Sequence, residues 1–155
     1  MSKFSYKLVT GNVELQEAFE VRKQVFVREQ GISEDLVFDE HDREALHMVV
    51  KDGERVIGTA RVQFFADNQA KLERMAILKR YRRKGIGKEM LLFLEAVWKD
   101  KQVQQVIIHA QFEVVPFYKL CGFDELGWPF REAGIKHIKM RKRLDGIGTI
   151  VLSLS

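Results

Sequence analysis

One stretch constrains this chain more than any other. From Lys71 to Trp98 a β-rich run, a cluster of cations, two closely spaced glycines and a long helical pattern follow without a break. Lys71 to Ile77 alternates as a strand does. Lys79, Arg80, Arg82, Arg83 and Lys84 then form a cationic turn, and Gly85 and Gly87 open the next element. Ile86, Met90, Leu91, Phe93, Leu94, Val97 and Trp98 recur with the 3.6-residue period of an amphipathic helix. A strand that runs into a helix through one turn belongs to a sheet with helices packed on it. Small residues at the helix start let a ligand approach the backbone, and the first-turn N–H groups and helix dipole favour negative charge. Arg82, Arg83, Lys84 and Lys88 add charged donors, so Arg82 to Lys88 reads as a pyrophosphate cradle. No Gly-Lys-Ser/Thr closes it, which excludes a P-loop. It has two of the three glycines of a dinucleotide fingerprint, and the preceding elements look antiparallel.

The rest of the chain agrees with one domain over residues 1–155, with 145–155 as a C-terminal extension. Tyr6 to Val9 reads as a first strand. Asn12 is placed as an N-cap for a helix carrying Leu15, Ala18, Phe19, Val25 and Phe26 to about Arg28. His47 to Lys51, Val56 to Phe65 and Ala70 to Ile77 read as a meander turned at Asp52-Gly53 and at Ala66 to Gln69. After the long helix come a strand over Val103 to Gln111 and a short helix to Leu120 that Gly122 ends. Strands near Phe123 to Leu126 and Ile135 to Leu144 follow. The expected class is α/β (α+β): a mixed, mostly antiparallel sheet of six to seven strands with helices on both faces.

Charge matters here only once it is located. The net charge is +4, but five of the 26 basic residues lie in the turn, and without them 21 face 22 acids. That points to a local anion site rather than a nucleic-acid surface. An acidic run, with Glu29, Glu34, Asp35, Asp39, Glu40, Asp42 and Glu44, lies opposite in sign. One cysteine, Cys121, rules out an internal disulfide, and it reads as a small buried apolar residue rather than a nucleophile. Four histidines show no ligand spacing, so no metal is expected. No apolar run reaches the roughly 20 residues of a membrane span, and the start of the chain lacks a signal-peptide core; a cytoplasmic protein is expected.

Arg82-Arg83-Lys84-Gly85-Ile86-Gly87 resembles the Gln/Arg-x-x-Gly-x-Gly/Ala motif of the GNAT superfamily of GCN5-related N-acetyltransferases. Ala110-Gln111, Phe117-Tyr118 and Gly122-Phe123 are similar to that family's second cofactor segment. Phe26 to Ile32, the aspartates after it and Gly134 to Met140 resemble its ElaA/YjcF-like branch. The resemblance spans roughly residues 5–144. It implies acetyl-CoA as co-substrate and direct attack by a primary amine on the acetyl carbonyl, without an acyl-enzyme. It also implies that the strand before the motif splays from its neighbour and binds the pantetheine arm through Met75, Ala76 and Ile77. Arg82, Arg83, Lys84, Gly85, Ile86, Gly87 and Lys88 would hold the pyrophosphate. The thioester would lie beside Gln111 and Phe117.

For the proton work, Tyr118 matches the tyrosine that family members use as general acid. Glu73 is a candidate base, because strand alternation puts it on the face of Met75 and Ile77. His47, His109 and His137 sit at strand positions and are further titratable candidates. Phe26, Glu29, His47 and His137 are expected on the acceptor side, where the acidic run would attract a small cationic amine. Two alternatives stand: a non-catalytic acetyl-CoA-binding module, and an acyltransferase like the acyl-homoserine lactone synthases. No nucleic-acid or membrane partner is expected. The apolar Ile150-Val151-Leu152 reads as an edge strand or as the interface of a homodimer.

Overall fold

The structure is a computed structural model that describes residues 3–144; the expectation for Ile150-Val151-Leu152 lies outside them. Strand β1 (Phe4–Leu8) leads to helix α1 (Asn12–Arg22), a π-helical segment (Lys23–Glu29) and helix α2 (Glu34–Val37). Strands β2 (Leu46–Asp52), β3 (Arg55–Phe65) and β4 (Gln69–Ile77) follow, then helix α3 (Ile86–Asp100), strand β5 (Gln105–Gln111), helix α4 (Val115–Leu120) and strands β6 (Asp124–Glu132) and β7 (Ile135–Arg143). The strands run in the order β1-β2-β3-β4-β5-β7-β6. The long crossover through α3 joins neighbouring strands β4 and β5, which makes the seven-stranded sheet mixed. No helix among the described residues is long and apolar enough to cross a membrane.

The chain divides into two compact units, Met1–Gln63 with Leu72–Phe93, and Phe64–Lys71 with Leu94–Ser155. In the first, β1 pairs antiparallel with β2 from Phe4↔Asp52 to Leu8↔Met48, and β2 pairs antiparallel with β3 across a bulge at Val50/Lys51. Ala18, Val21, Val25 and Phe26 pack with Val37, Val49, Val56 and Ala76 into one apolar cluster. Phe26, expected at the acceptor, is therefore a core residue with 9% of its surface exposed.

Two local expectations are corrected. The N-cap of α1 is Gly11, with φ 82°, and Asn12 is the first helical residue. No side chain caps the helix; Glu14 instead ties its first turn to the preceding strand, its carboxylate accepting from Thr10 N at 2.9 Å and pairing with Lys7 at 2.7 Å and Lys51 at 3.0 Å. The helix also does not run uniformly to Arg28: after Arg22 it widens to π geometry, with Gln30 N donating to Val25 O at 3.2 Å. The hydrophobic spacing alone does not distinguish a widened turn from a regular one.

In the second unit β5 and β7 pair antiparallel from Gln105↔Arg143 to Gln111↔His137. β6 is longer than its sequence suggests. Expected near Phe123 to Leu126, it runs on to Glu132 at the end of the sheet order, and a register shift between Leu126 and Phe130 takes up Gly127 and Pro129. Gly122 ends α4 with φ 94°, and Phe123 N donates to Tyr118 O at 3.0 Å. Cys121 is half-buried rather than buried, and its carbonyl accepts from Lys142 Nζ at 2.8 Å.

The Lys7 hydrogen bond, then the Thr10 amide, lower the Glu14 pKa to about 2 from the ordinary 4.5. A carboxylate with a depressed folded pKa stabilises the fold above its unfolded pKa and loses that contribution as pH falls toward the folded value. Glu14→Gln should cost on the order of 1–3 kcal/mol at pH 7. The gap between the two proteins should close between pH 5 and 2 in urea melts at stepped pH.

Candidate functional site

The turn after β4 is pinned from three sides. Leu78 N donates to Ile57 O at 2.9 Å, the buried Tyr81 gives its hydroxyl proton to Asp52 Oδ2 at 2.9 Å, and Arg82 Nε donates to Ile77 O at 2.8 Å. Arg82 then forms a two-pronged pair with Glu29, at 2.6 and 2.8 Å. The guanidinium holds the Glu29 carboxyl below its ordinary range. These two expected ligands, one for the cofactor and one for the acceptor, thus neutralise each other. Arg83, Lys84, Gly85 and Lys88 remain exposed. Arg83 at φ 62° and Gly85 at φ 80° give the loop alternating left-handed residues, which form an anion-binding concavity. Ile86 buries its side chain, so it can offer a ligand only its backbone. The first-turn amides of the 15-residue α3 lack intrahelical partners. These residues fit a diphosphate.

β4 does not alternate as a plain strand. Arg74 has φ 54°. Glu73 reaches Arg61, and Ala76, three residues on, joins the apolar cluster beneath α1. On that side Arg61 lies opposite His47 in the ladder, and His47 packs on Phe19 of α1. An odd spacing on one face requires a bulge, so Glu73 does not share the face of Met75 and Ile77.

Glu73 instead belongs to a cluster of three guanidiniums and three carboxylates. Arg61 bonds Asp39 at 2.7 Å, Asp42 at 3.0 Å and Glu73 at 3.0 Å. Arg22, fully buried, bonds Asp42 at 2.7 Å, and Arg74 bonds Asp39 at 3.2 Å. Arg74 also donates to the carbonyls of Val37 and Leu36 at the end of α2. Burial opposes charge on Asp39 and Asp42, yet the arginines hold both carboxyls below their ordinary range. Arg61 is raised for the same reason. Glu73 Oε1 accepts from Arg61 Nε at 3.2 Å, Arg61 Nη2 at 3.0 Å and Gln63 Nε2 at 2.5 Å, which engages that oxygen fully.

His47 is part of the same cluster. Arg22 Nη2 donates to its Nδ1 at 3.2 Å, and its Nε2–H donates to Asp42 O at 2.8 Å. Burial pushes the imidazole down, so it stays neutral, with no ring nitrogen left for a substrate. Three acids of the run, Glu29, Asp39 and Asp42, are thus spent on arginines. Glu34 pairs with Lys23 at 3.3 Å, and Asp35 accepts from Ser33. Sequence reasoning missed Arg22 and Arg61. The signal was a charged residue at an apolar stripe position, four after Ala18 and three before Val25, and another at the centre of a β-rich run.

In the second unit Tyr118 is buried, with its ring against Phe117 at 5.1 Å and Phe123 at 5.6 Å. Burial pushes its phenol up, which keeps it protonated at neutral pH. Gln111 and His137 lie opposite each other across β5 and β7. His109 Nδ1 is 3.0 Å from Glu132 Oε1, and His137 Nδ1 donates to Ile135 O at 2.7 Å. Among the described residues no group of three or more His, Cys, Asp or Glu is placed to hold a metal.

Residues 12–144 match the acetyltransferase (GNAT) domain family. The uncharacterized N-acetyltransferase YjcF of Bacillus subtilis is 39% identical over 130 residues, covering 83% of this chain and 92% of its own. A solved Lactobacillus plantarum chain aligns with a TM-score of 0.86 at 28% identity, covering 91% of this chain and 98% of its own. Escherichia coli ElaA aligns at 0.81 and 19%, covering 90% and 99%.

The ion cluster makes Asp42 a strong test of the fold's electrostatics. Asp42→Asn leaves the buried Arg22 guanidinium without a countercharge, which typically costs about 3–5 kcal/mol. At this chain length calorimetry should show the midpoint falling by roughly 10 °C. The partly exposed pair Lys23–Glu34, broken by Glu34→Gln, should cost less than about 1 kcal/mol.

Proposed function

Because the chain belongs to the GNAT acetyltransferase family, in the ElaA/YjcF-like branch, we propose that this acyltransferase moves the acetyl group of acetyl-CoA to a primary amine of a small acceptor. The observation that carries this reading is the loop Arg83 to Lys88. It combines alternating left-handed backbone, exposed cations and the start of a long helix, all suited to a diphosphate. Arg83, Lys84 and Lys88 would supply charge, and the amides of Gly85 to Lys88 directional donors. Arg82 would act indirectly, because its bonds to Glu29 and Ile77 hold the turn in shape. Met75, Ala76 and Ile77 would contribute backbone groups toward the pantetheine arm, with Gln111 and Phe117 nearer the thioester.

Acetyl-CoA, when bound, supplies a thioester carbonyl open to attack. Tyr118 holds its proton at neutral pH and is the proposed donor toward the departing sulfur. Glu73 is assigned to the ion cluster, where it holds Arg61, and not to proton abstraction. With Asp39 and Asp42 neutralised internally, amine recognition rests on shape and hydrogen bonding rather than on an acidic wall.

Acetyl-CoA at saturation should raise the melting temperature by several degrees. Gly87→Glu, which brings a carboxylate to the helix N-terminus, should abolish that rise while leaving the protein folded; an unchanged rise would place the diphosphate elsewhere. Tyr118→Phe should keep the rise and lower kcat about 10–100-fold, since the lost hydroxyl acts mainly in the transition state. Wild-type kcat in that variant would remove Tyr118 from the chemistry.

A further inference from the structure

The β5-β7-β6 portion of the sheet carries a polar constellation that the proposed reaction has not yet used. Along β5, Val106, Ile108 and Ala110 are buried while His109 and Gln111 are half-buried, so the latter two share the opposite face. Gln111 lies across from His137, and His137 from Phe130. His109 Nδ1 is 3.0 Å from Glu132 Oε1. The hydrogen bond from His109 holds the Glu132 carboxyl below its ordinary range, with the Lys71 charge adding to it, against a penalty from burial.

An ionised carboxylate only accepts hydrogen bonds, so His109 must carry its proton on Nδ1. In the neutral ring the lone pair is then on Nε2. Phe130 fixes the arrangement from the side: its ring meets His109 edge-on at 5.1 Å and stacks on His137 at 5.9 Å. His137 is held differently. Its Nδ1–H is taken by Ile135 O, and its Nε2 lies 3.9 Å from Glu132 Oε2, too far for a hydrogen bond. His137 is also buried, whereas 27% of the His109 side chain is exposed. His109 is thus a partly open imidazole with a carboxylate behind one nitrogen, the arrangement that presents the other as a base. Lys139 lies directly opposite it on β7, and the Lys71 charge also acts on Glu132.

We propose that His109 is the general base that deprotonates the ammonium group of the acceptor, with Glu132 as the positioning residue that sets its tautomer. This rests on the amine-acetylation reading above. The ammonium N–H bond breaks, its electron pair stays on nitrogen as the neutral amine, and the proton binds His109 Nε2. The imidazolium then releases that proton to water. The nitrogen's second proton is the equivalent of the one gained by the departing sulfur, so the products are an amide, a thiol and one proton.

Two measurements test this. Long-range ¹H–¹⁵N NMR on histidine-labelled protein should show neutral His109 protonated on Nδ1, and Glu132→Gln should disturb that tautomer. Protonation on Nε2 in the wild type would overturn the proposal without touching the acetyl-CoA assignment. Thiol release from acetyl-CoA should then be followed against pH with spermidine, glucosamine and a lysine-containing peptide as acceptors. His109→Gln should lower kcat about 10²-fold or more and flatten the acid limb, while the acetyl-CoA-induced rise in melting temperature stays. Glu132→Gln should lower kcat by less than His109→Gln does and leave the acetyl-CoA-induced rise unchanged, because it loosens the tautomer of the base without removing the base. A His109→Gln protein with wild-type kcat and acid limb would overturn the base. A wild type that acetyl-CoA does not stabilise would instead overturn the parent reading, and the base with it.

Discussion

The pairing of Arg22, Arg61 and Arg74 with Asp39, Asp42 and Glu73 is the constraint on which the first unit depends. Arg22 is fully buried and Arg61 nearly so, and an isolated charge at such depth would cost several kcal/mol. Three positive and three negative groups offset that cost only if all arrive together. α1 brings Arg22, β3 brings Arg61, β4 brings Arg74 and Glu73, and the turn at residues 39–42 brings the aspartates. The turn is itself closed by a capping box between Asp39 and Asp42, so both carboxylates are held before they meet the arginines. The cluster is better read as a device that fixes relative positions than as a source of net stability. Arg22 Nε remains without a hydrogen-bond partner, which is one cost of that fixing.

The bulge at Arg74 connects this cluster to the chemistry. A regular strand would send Glu73 and Ala76 to opposite faces. With the left-handed Arg74 between them, one side of β4 takes Glu73 into the ion cluster and Ala76 into the apolar core. Arg74 is then free to hold the carbonyl end of α2, where a cation suits the helix dipole. The same strand continues into the turn that Tyr81 and Arg82 pin. The glycine loop after it, proposed to bind the diphosphate, is therefore anchored through β4 to the buried charges. Glu29, at the end of the π segment, closes the path by clamping Arg82.

The local grammar of the chain was legible from residue order alone. The 3.6-residue period, Gly85 and Gly87 after a strand, the turn at Asp67-Asn68 and the helix stop at Gly122 each depend on residues a few positions apart. They yielded the element order and the sheet class, they singled out the glycine loop, and the motif sufficed to place the family. The π-helical widening and the change of cap from Asn12 to Gly11 were not legible, because both differ from the regular alternative by one residue of register.

Tertiary structure alone decided which charges act outward and which are spent inside. The acidic run looked like a wall for a cationic substrate, yet Asp39 and Asp42 bond arginines 20, 19, 22 and 35 positions away. His47 and His109 are both strand histidines near carboxylates in number, and nothing in the sequence separates them. Burial beside Arg22 makes one a satisfied structural ring; the other, on β5, reaches past its ladder partner on β7 to Glu132 on β6. Periodicity and turn chemistry are properties of neighbours along the chain, so residue order determines them. Ion pairing and proton position are set by distance and dielectric between distant residues, which exist only once the strands have chosen their register.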